Sequence, residues 1–130
     1  MDKSQLSFGK AERLCGELRI NKLFEQGKSF VVYPLRVCWL LMPPAEKAPV
    51  QVMVGVPKKK LRKQVQRNRV RRLIRETYRL SKGDLLNEVR GKEAQLLLAF
   101  IWMSEQVPEY KDLKTKMQEA LRQLRKKLSL

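Results

Sequence analysis

With 130 residues the chain has the length of one compact domain, and 43% apolar residues are enough to build its core. Against 13 Asp and Glu stand 29 Lys and Arg, a formal charge of +16 that opposes compaction and attracts polyanions. No apolar run reaches the ~18–20 residues of a membrane span, the opening MDKSQLSFGK lacks the apolar core of a signal peptide, and histidine, the commonest general base, is absent, so a cytoplasmic protein with no membrane contact and no protein-only active site is expected.

Glu17 to Gln26 places Leu18, Ile20, Leu23 and Phe24 at mixed i+3/i+4 spacing ahead of Gly27, which predicts a short amphipathic helix with a glycine stop. The run SFVVYPLRVCWLLM is rich in β-branched and aromatic residues and predicts a strand, bent or edge-like at Pro34; a turn follows at Pro43, Pro44 and Pro49. Val50, Val52, Val54 and Val56 alternate with Gln51, Met53 and Gly55, the period of a strand with differing faces. These two strands are expected to pair as a hairpin. Pro57 ends the second, and a basic helix runs to about Leu80. Leu61 and Val65 do not share the phase of Val70 and Leu73, so the helix begins between Leu61 and Val65, leaving PKKKLRKQ as a loop or an irregular first turn.

Ser81 to Glu93, with Gly83 and Gly91, reads as a polar loop carrying Asp84, Glu88 and Glu93, and AQLLLAFIWM reads as a central buried strand. After Pro108, the residues Tyr110, Leu113, Met117, Leu121, Leu124 and Leu128 recur at helical spacing, predicting a last helix packed on the sheet. The order α, β, β, α, β, α implies one α+β domain over residues 1–130, with a three- or four-stranded sheet and with 1–7 and 129–130 as flexible ends. Cys15 and Cys38 are far apart and outside any CxxC arrangement, which predicts free thiols and no metal site.

The charge is unevenly spread. Between Pro57 and Lys82 there are 12 basic residues and one acid, Glu76, while the flanking segments are nearly balanced. A merely solvated helix would interleave acids at i,i+4 spacing; a block of one sign is the footprint of a polyanion-binding surface. At about 100° per residue, Val70, Leu73, Ile74 and Thr77 share the arc that docks on the sheet. Asn68, Arg71, Arg72, Arg75 and Arg79 lie roughly opposite, with Arg67 and Arg69 on the two shoulders. Guanidinium forks suit bidentate phosphate contacts and stacking, whereas Lys58, Lys59, Lys60 and Lys63 are point charges for a phosphate backbone. Asn68 both donates and accepts, which fits a base, a 2′-OH or a metal-bound water, and fits a local bond to backbone as well.

KKKLRKQVQRNRVRRLIRETYR resembles the RNR signature of the protein subunit of bacterial ribonuclease P. Phe8-Gly9-Lys10 with Arg13-Leu14, and Leu23-Phe24 with Gly27, extend the resemblance over nearly the whole chain. It implies a left-handed βαβ crossover in a fold like the second domain of ribosomal protein S5. It also implies an activity in which a large RNA subunit with Mg²⁺ hydrolyses a phosphodiester and removes the 5′ leader of precursor tRNA. In that reading the chain is a subunit of a ribonucleoprotein endonuclease without catalytic residues or a small-molecule substrate of its own, and the metal is held mainly by the RNA. The RNR residues are Arg67, Asn68 and Arg69, and with Arg62, Arg71, Arg72, Arg75, Arg79 and the lysines they would face the catalytic RNA. A cleft for the single-stranded leader would comprise Ile20, Phe24, Arg36 and Cys38, with Arg13 nearby. An aromatic is usual in the family where Ile20 stands and often where Cys38 stands. Arg62 and Gln64 replace a common Gly and Ala, and Met103 stands where an arginine is common.

Two other classes fit parts of the same pattern. A structural RNA-binding protein of ribosomal type would use the same charge block, and an independent nuclease would have to work without histidine and with scattered acids.

Overall fold

The computed structural model describes residues 9–44 and 48–129. After a 3-10 turn at Lys10–Glu12 come helix α1 (Glu17–Gln26), strands β1 (Lys28–Val32), β2 (Leu35–Met42) and β3 (Val50–Gly55), helices α2 (Gln64–Ser81) and α3 (Gly83–Gly91), strand β4 (Gln95–Trp102) and helix α4 (Tyr110–Leu128). The expectations for residues 1–7 and for Leu130 lie outside the described residues. Ser129, grouped with the loose ends by the sequence, is held: its hydroxyl donates to Glu88 and its N–H to the carbonyls of Arg125 and Lys126.

The sheet order is β1-β2-β4-β3, with β1/β2 and β2/β4 antiparallel and β3/β4 parallel. Two expectations are corrected here. The run around Pro34 is not one bent strand but a hairpin of two, turning at Tyr33–Pro34, whose peptide bond is cis. Proline has no N–H for a ladder and a fixed φ, so it sits in the turn instead of in a strand. Nor does β2 pair with β3. β4 inserts between β2 and β3, and β3 and β4 are joined by α2 and α3 as a parallel βαβ unit.

β4 is the centre of the sheet, bonded on both edges and covered on both faces, which is why its sequence is a nearly unbroken apolar run. On one face Leu35, Val37 and Trp39 of β2 meet Trp102, Phe100 and Leu98 of β4, and Val50 and Val52 meet Leu96 and Leu98. Against this face pack Val70, Ile74 and Tyr78 of α2, Leu85, Leu86 and Val89 of α3, and the stripe Leu113, Met117, Leu121, Leu124 and Leu128 of α4. α3 is a further correction, since the sequence reads that stretch as loop. Its apolar positions occupy only about two turns between two glycines, too short a run for periodicity to stand out.

The opposite face is more lightly covered. Leu14 and Leu23 close over Cys38, Leu97 and Ala99, with Ile20, Leu40, Met42, Met53 and Ile101 partly buried around them. α1 approaches β2 closely at its end: a Cβ on Gly27 would stand 2.3 Å from the Leu23 carbonyl oxygen and 2.9 Å from that of Trp39. The result is a single small α+β domain with three helices on one face of a four-stranded sheet and one on the other. Among the described residues no helix is long and apolar enough to cross a membrane.

Candidate nucleic-acid interface

The lysine-rich segment is a turn ahead of α2. Val56 and Leu61 are buried, and the lysines between them, Lys58, Lys59 and Lys60, are exposed together with Arg62 and Lys63. The turn closes through the Lys60 and Leu61 N–H groups, both donating to the Pro57 carbonyl. α2 starts at Gln64, within the interval the sequence allowed, and Lys63 provides no side-chain cap. Its first-turn N–H groups therefore add the positive end of the helix dipole to the exposed cations.

Arg67 departs from the expected placement. It is 8% exposed, not outward on a shoulder, and its Nη1 donates to the carbonyls of Leu61 at 2.9 Å and Arg62 at 2.7 Å. The guanidinium thus pins the lysine turn to the first turns of the helix. A buried cation is tolerated here because backbone carbonyls replace its lost water. Arg69, on the other shoulder, is exposed.

One side of α2 forms an open groove of about 440 Å³ lined by Asn68, Arg71, Arg72, Arg75, Glu76 and Arg79, and also by Arg13. Asn68 uses its side-chain oxygen on Arg71, which donates from Nη1 at 3.0 Å, so the asparagine orients a neighbouring arginine. Glu76 is engaged by Arg79 through two bonds, of 2.6 and 3.1 Å, and the one to Nη2 is an ion pair. That hydrogen bonding, outweighing partial desolvation, holds the Glu76 carboxyl below its ordinary pKa. Desolvation, then the charges of Arg13 and Arg71, lower Arg75 from the usual guanidinium value. Among the described residues, five guanidiniums thus crowd one another against a single, already paired carboxylate. Such an arrangement is poised to take up phosphates, which would relieve that repulsion.

The residues expected to form a second cleft are only partly brought together. Phe24, Arg36 and Cys38 line a recess of about 150 Å³ with Leu23, Gly27, Lys28 and Ser29, where the end of α1 meets β1 and β2. Phe24 is 48% exposed, while burial, moderated by the Arg36 charge, pushes the Cys38 thiol up in pKa. Ile20 packs on the apolar cluster under α1 and does not line the recess. Arg13 is a correction: the chain before α1 runs beside β3, bridging Arg13 to Val52, and this carries the arginine to the groove of α2 instead of the recess.

Sequence reading also missed the network that holds this N-terminal segment. Gln51, buried at 3% exposure, accepts from Arg19 at 2.8 Å and donates to the Ala11 carbonyl at 3.0 Å. Gln95 accepts from Arg19 at 2.6 Å and donates to the Ala48 carbonyl at 3.0 Å. A glutamine in an alternating valine strand is a faint sign of such a bond, but its partners are distant in sequence.

Comparison with known proteins agrees with this architecture. Residues 8–125 match the family model for ribonuclease P. The chain is similar to the ribonuclease P protein component of Porphyromonas gingivalis, 42% identical over 120 residues that cover 91% of this chain and 88% of the relative. It is also similar to that of Chlorobaculum tepidum, at 31% identity over 84% of this chain and 77% of the relative. In fold it resembles a mutant of the Staphylococcus aureus RNase P protein, with a TM-score of 0.61 and 20% identity over 90% of this chain and 87% of the other. With the Arg67-Asn68-Arg69 helix in place on a mixed four-stranded sheet, the chain belongs to the ribonuclease P protein family.

Proposed function

We propose that the chain binds the catalytic RNA of ribonuclease P through the groove of α2 and the lysine turn before it. There it assists the Mg²⁺-dependent hydrolysis that removes the 5′ leader from precursor tRNA, as a subunit working in the cytoplasm. The observation that carries this reading is the convergence of Arg13, Arg71, Arg72, Arg75 and Arg79 on one open groove. The recess formed by Phe24, Arg36 and Cys38 with Lys28 is the place for the single-stranded leader: it offers one half-exposed aromatic ring and two cations on the lightly covered face of the sheet.

Mg²⁺ does not suit the groove of this chain. Among the described residues its one carboxylate, Glu76, is taken by Arg79 and surrounded by cations, and no three acids, cysteines or histidines converge. The ion belongs to the RNA in this proposal, with the protein reducing repulsion between phosphates so that the folded RNA holds the ion at lower concentration.

The test is binding of transcribed ribonuclease P RNA at several salt concentrations. About six to ten phosphate contacts give an affinity that falls ~10³–10⁵-fold between about 50 and 200 mM salt. Arg72→Ala and Arg75→Ala should each lower the salt slope by about one. An affinity insensitive to salt, or to both substitutions, would overturn the assignment of the groove.

A further inference from the structure

Arg13 reaches the groove from a segment with little regular structure of its own, a three-residue turn followed by a single bridge to β3. Its position there is electrostatically unfavourable in the free protein, because it lies among arginines and its charge acts on Arg75. Something must hold the segment in place. The preceding residue, Glu12, accepts from the Gly9 N–H at 3.0 Å with one carboxylate oxygen and pairs through the other with Lys82 Nζ at 2.5 Å. The lysine side chain is 0% exposed and the glutamate 15%, so the pair is sealed under the turn at the junction of α2 and α3. Glu12 also bears on the buried Tyr78 of α2, whose hydroxyl is pushed up in pKa by desolvation and then by this carboxylate.

A sealed ion pair is a poor source of net stability, since desolvation opposes its attraction; what it does well is select one arrangement, because either charge left alone underneath would be costly. Three further contacts share the task on the other side of the segment: the Gln51 amide to the Ala11 carbonyl, the Leu14 N–H to the Val52 carbonyl at 2.8 Å, and the burial of Leu14. All of them fix backbone. Among the described residues, the Glu12–Lys82 pair ties this backbone to the end of the helix that carries the other arginines.

We infer that Glu12 and Lys82 form a clamp that positions Arg13 as a built part of the anion-binding groove on α2. Glu12 and Lys82 are positioning residues, and Arg13 makes the contact. The inference rests on the reading of the groove as an RNA-binding surface.

A mutant cycle on binding of transcribed ribonuclease P RNA tests it, with the same cycle on heparin. Arg13→Ala in the parent protein should lower the salt slope by about one, which is about a threefold smaller loss of affinity between about 50 and 200 mM salt. In the charge-free Glu12→Gln/Lys82→Met background, and in the conservative Glu12→Asp background, Arg13→Ala should change the slope far less. An equal effect of Arg13→Ala in parent and clamp variants would overturn the inference, as would no effect in the parent. If neither background folds, trypsin on the unaltered protein decides. The clamp predicts that the bond after Arg13 resists doses that cut the exposed Lys58–Lys60 turn, and early cleavage after Arg13 would sink it. Failure of the parent to bind the RNA, with the coupling still present on heparin, would overturn the functional reading and leave the clamp standing.

Discussion

Replacing Arg67 by alanine separates the one arginine of the basic helix that holds the fold from those that face solvent. The guanidinium is 8% exposed and gives one nitrogen to two carbonyls, those of Leu61 and Arg62. Hydrogen bonds from charged donors contribute about 1.5–3 kcal/mol each, and two sharing a nitrogen contribute less than twice that. Deleting one charge from a strongly cationic chain returns a few tenths of a kcal/mol by easing repulsion, so the net loss is about 2–3 kcal/mol. At this chain length each kcal/mol moves the melting temperature by about 4 °C, giving a fall of roughly 8–12 °C. Arg72, exposed on the same helix, should change stability by less than about 0.5 kcal/mol when cut to alanine. Thermal melts followed by circular dichroism, checked by urea titration, give both values. If Arg67→Ala melts within about 2 °C of the parent, or Arg72→Ala falls as far as Arg67→Ala, the division of the two arginines is wrong.

Phe24→Ala should leave the melt nearly unchanged because the ring is 48% exposed. It should weaken binding of a leader-bearing precursor by about 5- to 150-fold, the range of about 1–3 kcal/mol for a stacked base. An equal loss for mature tRNA would refute a leader contact. Alkylation followed by mass spectrometry should label the exposed Cys15 well before Cys38, which is 7% exposed and has its thiol pKa raised by burial. Equal rates would contradict the packing of α1 on β2.

The legible parts of the fold were those where one periodicity runs long enough. β4, α4 and the docking arc of α2 each carry a pattern that has a single physical solution, and the buried set Val70, Ile74 and Thr77 lies where the arc predicts. Strand pairing was not legible. Whether Val50–Gly55 lies beside β2 or beside β4 depends on contacts made some 45 residues later, in register Val50↔Leu96, and no local residue encodes that choice. Pro34 reads in the sequence as a bend or an edge, whereas in the fold it makes the turn between β1 and β2.

Residue type and helical phase suffice to put Asn68, Arg71, Arg72, Arg75 and Arg79 on one side of α2, where they line the groove. They could not separate Arg67 from the others, because a shoulder position faces solvent or a neighbouring turn according to how the preceding loop folds back. Arg13, near the cleft by resemblance, lines the groove of α2 for a related reason: its segment is held by Gln51, Val52 and Lys82, all distant in sequence. Ile20, placed in the leader cleft by resemblance, serves the apolar cluster under α1, so the recess presents Phe24 as its one aromatic ring.

The most direct measurement incubates precursor tRNA with the purified protein alone, with transcribed ribonuclease P RNA alone at low Mg²⁺, and with both together. Cleavage at the mature 5′ end only in the combined reaction is the predicted result. Cleavage by the protein alone, or an RNA whose rate the protein leaves unchanged, would contradict the account.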